Sequence, residues 1–170
     1  MEVFEAIHRK RAIREFKSVP LPREAVRTIL NAGRRAQSSK NSQPWQFVAL
    51  QNRETLQALA RLGPFAGHLA GAALGVVIAT SDPSERWSIP FDAGQAAAYM
   101  QLAALELGIG SCLASIYDPE AARDLLGIPP ASFPNVAISF GYPQDEAAFK
   151  AGPRPSGRNS FDQVVHWDRW

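Results

Sequence analysis

The chain has 170 residues, of which 46% are hydrophobic and 20% charged, enough apolar side chain to build one ordinary domain. Eighteen Lys and Arg against sixteen Asp and Glu leave a net charge of +2, too balanced for a general nucleic-acid binder. The single cysteine, Cys112, excludes an internal disulfide and a zinc site of Cys-pair spacing, and points to a reducing, cytoplasmic compartment.

The opening residues mix acid and base without an apolar run, so no signal peptide is expected, and no run is long enough to span a bilayer. Val3, Phe4 and Ile7 predict a short first helix with one apolar face. Lys10-Arg11-Ala12-Ile13-Arg14-Glu15-Phe16 follows it, with Arg9 adding to the charge. Cations favour the negative end of a helix dipole, so a simple C-cap is one reading. As an extended segment it would send Arg11 and Ile13 one way and Lys10, Ala12 and Arg14 the other, leaving a face for an anionic ligand.

Pro20-Leu21-Pro22 opens a second helix, with Val26, Ile29, Leu30 and Gly33 on one face. Ser38-Ser39-Lys40-Asn41-Ser42-Gln43 is a polar loop closed by Pro44 and Trp45. Its side chains both donate and accept, which suits the edge of a flat polar heterocycle or, equally, local backbone capping. Strands are predicted at 46–51 and 75–80, with a helix at 54–62 between them. The stretch 91–107 is apolar nearly all round, a helix buried on most sides or shared between two subunits. Strands at 111–116 and 136–140 flank a helix at 119–126, so the elements alternate in a mixed α/β order. The glycines of Leu107-Gly108-Ile109-Gly110-Ser111-Cys112 fit close backbone packing, and Cys112 reads as an inert core thiol. From 141 onward Pro, Gly and charge dominate, yet Phe161, Val164, Val165, Trp167 and Trp170 demand a surface to pack on.

Other chemistries are absent. There is no complete dinucleotide or phosphate-loop fingerprint and no Gly-x-Ser-x-Gly elbow, and His8, His68 and His166 share no metal-ligand spacing.

In this order, the segments 10–16 and Ser38-Ser39-Lys40-Asn41-Ser42-Gln43-Pro44-Trp45-Gln46-Phe47 resemble elements of the FMN-dependent nitroreductase family. The long apolar helix, the Gly-x-Gly-Ser-Cys segment, Leu126-Gly127-Ile128-Pro129 and Gly141-Tyr142-Pro143 add to the likeness. The resemblance implies an α+β sandwich with a central mixed sheet flanked by helices, in an interlocked homodimer. Residues 1–143 would form the FMN-binding domain, and residues 144–170 a tail packing on the partner protomer.

It further implies that Lys10, Arg11, Arg14 and the backbone of Ala12 contact the FMN phosphate and pyrimidine edge. Ser38, Ser39, Asn41 and Gln43 would reach the FMN of the other half, and Arg158 would bind phosphate. Ser115 and Ile116 would lie near the reactive ring nitrogen, and His68 near a pyrimidine carbonyl. No catalytic side chain is needed, because FMN carries the chemistry. The activity implied is transfer from NADH or NADPH to a nitroaromatic or quinone by a ping-pong cycle. Another reaction on the same fold, or a flavin binder without turnover, are the alternatives. Lys10 and Ala12 depart from the arginine and serine usual in the family, trading a bidentate grip for a point charge and losing a hydroxyl.

Overall fold

The computed structural model describes residues 1–151 and 157–170. Its elements are α1 (Val3–Arg9), α2 (Arg23–Arg34), β1 (Trp45–Leu50), α3 (Arg53–Ala60), β2 (Leu74–Thr80), α4 (Ser88–Glu106), β3 (Gly110–Ser115), α5 (Pro119–Leu126), β4 (Phe133–Gly141), α6 (Glu146–Lys150) and α7 (Phe161–Val164). Single 3-10 turns at Ser39–Asn41 and Gly67–Gly71 complete it.

The strands form one sheet in the order β1-β2-β4-β3, every pairing antiparallel. The parallel component of the expected mixed sheet is one isolated bridge, Ala12 to Ser111, outside the four strands. Helices cover both faces. Val76, Ile78, Ile138 and Phe140 pack under Val26 and Ile29 of α2 and Ala96, Met100 and Ala104 of α4. Val77, Ala79, Ala114 and Ala137 point the other way, toward Leu59, Leu69 and Ala122. A strand covered on both faces has no reason to alternate polarity, which is why β2 reads as an unbroken apolar run and is buried at all seven positions.

The helix ends follow local chemistry. Asn52 accepts from the Thr55 N–H at 2.9 Å to open α3, and Asp118 does the same for Ala121 at 2.9 Å to open α5. Gly127, at φ 62°, stops α5 in the left-handed turn that a side chain would resist. Gly33 brings α2 onto α4, since a Cβ there would lie 2.4 Å from the Met100 methyl.

The first helix forms as the periodicity predicts, but Val3, Phe4 and Ile7 face solvent and only Ala6 is buried. Exposed apolar residues continue with Trp87, Phe91 and Tyr99 along α4 and with Phe161, Trp167 and Trp170 in the tail. The first part of the tail packs on its own chain: Phe149 joins Ala6 and Leu105, and Lys17 Nζ pairs with Glu146 Oε1 at 2.6 Å. No helix among the described residues is long and apolar enough to cross a membrane.

Candidate functional site

The segment after α1 runs along the outer edge of β3. The Ile13 N–H donates to the Ser111 carbonyl at 2.9 Å, and Phe16 bridges to Pro143. Two glycines make room for it. A Cβ on Gly110 would sit 2.8 Å from Ile13, and one on Gly141 would sit 2.9 Å from the Phe16 ring. Space, not an unusual φ, is what these positions require. Ile13 is thereby half-buried against Leu102 and Leu105.

Lys10 and Arg14 both act on the Cys112 thiol, and Arg158 of the tail lies near enough to Lys10 to act on its charge. Burial depresses the Lys10 ammonium below the usual lysine range; the neighbouring thiol opposes this and the Arg158 charge adds to it. Burial pushes the Cys112 thiol up, against the pull of Arg14 and Lys10, which keeps it protonated and inert. No carboxylate among the described residues pairs with Lys10, Arg14 or Arg158, whereas Arg9, Lys17, Arg123 and Lys150 each have one. Three neighbouring cations without a carboxylate partner among the described residues suit an anionic ligand. Arg11 lies half-buried in the same segment.

His68 enters from the other side of β3, on the Gly67–Gly71 turn. Its Nδ1 lies 2.7 Å from Ser139 Oγ, which also donates to the Cys112 carbonyl at 3.3 Å. His68 Nε2 is buried and has no hydrogen-bond partner among the described residues. Burial lowers the His68 pKa; the Leu113 backbone carbonyl opposes this, and Arg14 adds to the lowering. A neutral ring with a bare polar atom beside unpaired cations is the donor set a polar, anionic heterocycle would satisfy. The residues present therefore fit a flavin mononucleotide, with an anionic phosphate and a hydrogen-bonding ring edge.

Since the Ser111 carbonyl points outward to Ile13, Leu113 and Ser115 point their backbone polar groups along the same edge. Ser115 is exposed and Ile116 buried. The strand end is closed by the Leu62-Gly63 loop: the Tyr117 N–H donates to the Leu62 carbonyl at 2.9 Å, and a Cβ on Gly63 would meet the Ser115 carbonyl at 2.6 Å.

The second set of residues lies elsewhere in the protomer. Ser38, Ser39, Asn41 and Gln43 sit near the start of α4, where the buried Asp92 accepts from the Ser39 N–H at 3.0 Å. The other set meets α4 at Gln101, whose Nε2 donates to Ser111 Oγ at 3.2 Å. Eight residues of helix lie between Asp92 and Gln101, which sets them about 14 Å apart along the axis. The loop is strained, with Lys40, Asn41 and Gln43 all at positive φ. Ser38 Oγ accepts from the Gln43 N–H at 2.9 Å, and Arg86 donates to Ser42 Oγ at 2.9 Å. One protomer thus assembles Lys10, Arg11, Ala12, Arg14, His68, Ser115, Ile116 and Arg158 along the β3 edge, and holds the loop set apart.

Ser139 and Asp92 escape sequence reading. Each carries a faint signal: a serine within an apolar strand, and a carboxylate near the start of the 88–106 helix, whose one other acid is its last residue, Glu106. Among the described residues no cluster of His, Cys, Asp or Glu could hold a metal ion.

Known proteins are similar to this chain. A family model described as the nitroreductase family matches residues 7–67 and 63–142. A protein of Archaeoglobus fulgidus, provisionally named an NADH dehydrogenase/NAD(P)H nitroreductase, is 32% identical over 99% of both chains. One of the same name from Methanothermobacter thermautotrophicus is 28% identical over the whole of this chain and 88% of its own. The solved structure of an FMN-dependent nitroreductase from Clostridium difficile superposes with a TM-score of 0.83 at 28% identity, covering 99% of this chain and 100% of that one.

Proposed function

The chain belongs to the nitroreductase family, and from that premise we propose that it is a homodimeric, FMN-dependent NAD(P)H oxidoreductase reducing a flat, electron-poor acceptor such as a nitroaromatic or quinone. The observation that carries this reading is the convergence of Lys10, Arg14 and Arg158 without counter-charge beside the unsatisfied His68 Nε2.

When bound, FMN supplies the centre that takes reducing equivalents from the nicotinamide and returns them to the acceptor. Lys10, Arg11 and Arg158 hold its phosphate, with the Ala12 backbone alongside. Arg14 would serve the pyrimidine end, where a guanidinium would stabilise negative charge on the reduced ring. Ser115 and Ile116 line the ring along the β3 edge. Ser38, Ser39, Asn41 and Gln43 complete the site of a second protomer, which is how residues held apart on one chain come to serve one cofactor. The exposed apolar face of α1, the outer face of α4 and the aromatic tail supply the surface that such a dimer buries. Donor and acceptor occupy the same space in turn, giving a ping-pong cycle with no side-chain acid or base.

The test is a visible absorbance spectrum of the purified protein before and after anaerobic addition of NADH or NADPH. Flavin bands that bleach, and recover on adding a quinone or nitroaromatic, are the expected result. Bands that persist would make the protein a flavin binder with another donor or none. A colourless protein that takes up no added FMN would overturn the reading.

A further inference from the structure

The start of α4 carries a polar cleft away from the β3 edge. It has a volume of about 320 Å³ and lies between the first turns of α4 and the Ser38–Gln43 loop. Trp87 and Phe91 line it, packed edge to face with ring centroids 5.9 Å apart, and both rings are exposed. Ser88 and Asp92, one helical turn apart, line it too and are only 3% and 2% exposed.

The buried side is unfinished as a hydrogen-bonding surface. Ser88 Oγ has no partner among the described residues. One Asp92 oxygen accepts from the Ser39 N–H at 3.0 Å; the other has only a long contact, 3.4 Å, from Gln95 Nε2. A carboxylate oxygen has room for a further donor, and a hydroxyl both donates and accepts. No cation lines the cleft, and Arg86, next to Trp87, donates to Ser42 Oγ at 2.9 Å. Such a pocket receives a flat ring against its aromatic side and a hydrogen-bond donor at its buried side. An anion finds no counter-charge there, and Asp92 repels it.

We propose that this cleft selects the acceptor: an uncharged flat ring bearing a hydrogen-bond donor, with Trp87 as its stacking surface and Asp92 as the residue that turns anionic acceptors away. This rests on the reading above, in which Ser38 and Ser39 complete a partner's flavin site, so that the cleft opens beside that flavin. One protomer then supplies the selection and the other the cations. Lys10, Arg14 and Arg158 would by themselves favour an anionic acceptor, so the sign of the preference tells the two regions apart.

Three probes of similar shape test it on the full-length, FMN-loaded protein: 4-nitrobenzamide, methyl 4-nitrobenzoate and 4-nitrobenzoate. Equilibrium dialysis against the oxidised protein needs no electron donor and reads binding alone. Wild type is expected to bind the amide about tenfold more tightly than the acid, with the ester between them, as for like charges about 10 Å apart near a protein surface. Asp92→Asn keeps an acceptor for the Ser39 N–H and should bring the acid within about threefold of the amide. Trp87→Ala should weaken amide and ester alike by about fivefold, with the size-exclusion mass of wild type. Equal or tighter binding of the acid by wild type overturns the proposal, as does an undiminished preference in Asp92→Asn. A Trp87→Ala protein that loses its dimer would make that ring an interface residue and overturn its role here. If the protein takes up no FMN, the flavin reading falls on its own. The same dialysis of the flavin-free protein then still judges the cleft, because all the residues lining it belong to one chain.

Discussion

The β3 edge and the Ser38–Gln43 loop are both rich in polar groups, yet they solve opposite problems. At the β3 edge the backbone is relaxed and the side chains are left wanting: among the described residues, three cations have no carboxylate and a histidine nitrogen has no partner. In the loop the contacts are made locally, through Ser38, Ser42 and Asp92, and the backbone bears the strain at Lys40, Asn41 and Gln43. Unsatisfied side chains mark where a ligand supplies the missing partner. A strained loop held from beneath marks a shape kept for something outside the chain. In the proposed dimer, the first region would be most of a site on its own and the second would complete the site of a partner.

The sharpest way to break that contrast is to remove the space under the first region. A valine at Gly110 would drive its Cβ into Ile13, where 2.8 Å is already too close. Overpacking of this kind costs about 3 kcal/mol. The cost falls on the docked segment that carries Lys10 and Arg14, so Gly110→Val should weaken FMN binding by more than about a hundredfold. Titration of the apoprotein with FMN checks it, with circular dichroism confirming that the sheet is intact. Unchanged affinity would mean that the segment's seat on β3 does not place its cations.

The next effect belongs to the loop. Asp92→Ala removes the carboxylate that accepts from the Ser39 N–H. Loss of a buried carboxylate that accepts a hydrogen bond should cost about 2 kcal/mol, less whatever strain the freed turn gives up. Thermal unfolding should shift down by several degrees. The nitrogen-15 NMR signals of His68 should not move, because eight residues of α4 lie between Asp92 and Gln101. A changed His68 signal would show that the regions are one unit after all.

How far the sequence carries this picture differs in the same way. The apolar period of α2 and the unbroken run of β2 report packing that each element makes along its own length, so both are legible. Asn41 and the serines announce a turn, because their side chains act on nearby backbone. Val3, Phe4 and Ile7 are also correctly periodic, but periodicity says only that a face is apolar, not what covers it; here it is solvent within one protomer. His68 and Ser139 are 71 positions apart and meet because the Gly67–Gly71 turn leads into β2, which pairs with β4 so that Gly75 lies opposite Ser139. No local pattern encodes such a meeting. The same holds for Gly110 and Gly141, whose purpose is visible only once Ile13 and Phe16 lie across them.

The smallest effect is the pH dependence of the β3 edge, and its sign follows from His68. Its pKa in the fold lies below the ordinary 6.5, first because of burial. Above 6.5 the ring is neutral in both folded and unfolded chains and contributes nothing to the slope. As pH falls below 6.5 the unfolded chain takes up a proton that the fold resists, so stability declines until the folded ring also titrates. His68→Gln removes this loss. The melting temperature of the apoprotein should therefore fall less between pH 7 and pH 5 in the variant than in wild type. The Asp92 region contains no histidine and should leave that difference untouched, so Asp92→Ala should show the wild-type slope at a lower melting temperature. A variant slope equal to wild type for His68→Gln would mean that the ring is already solvated, and the bare Nε2 would lose its claim to be waiting for a ligand.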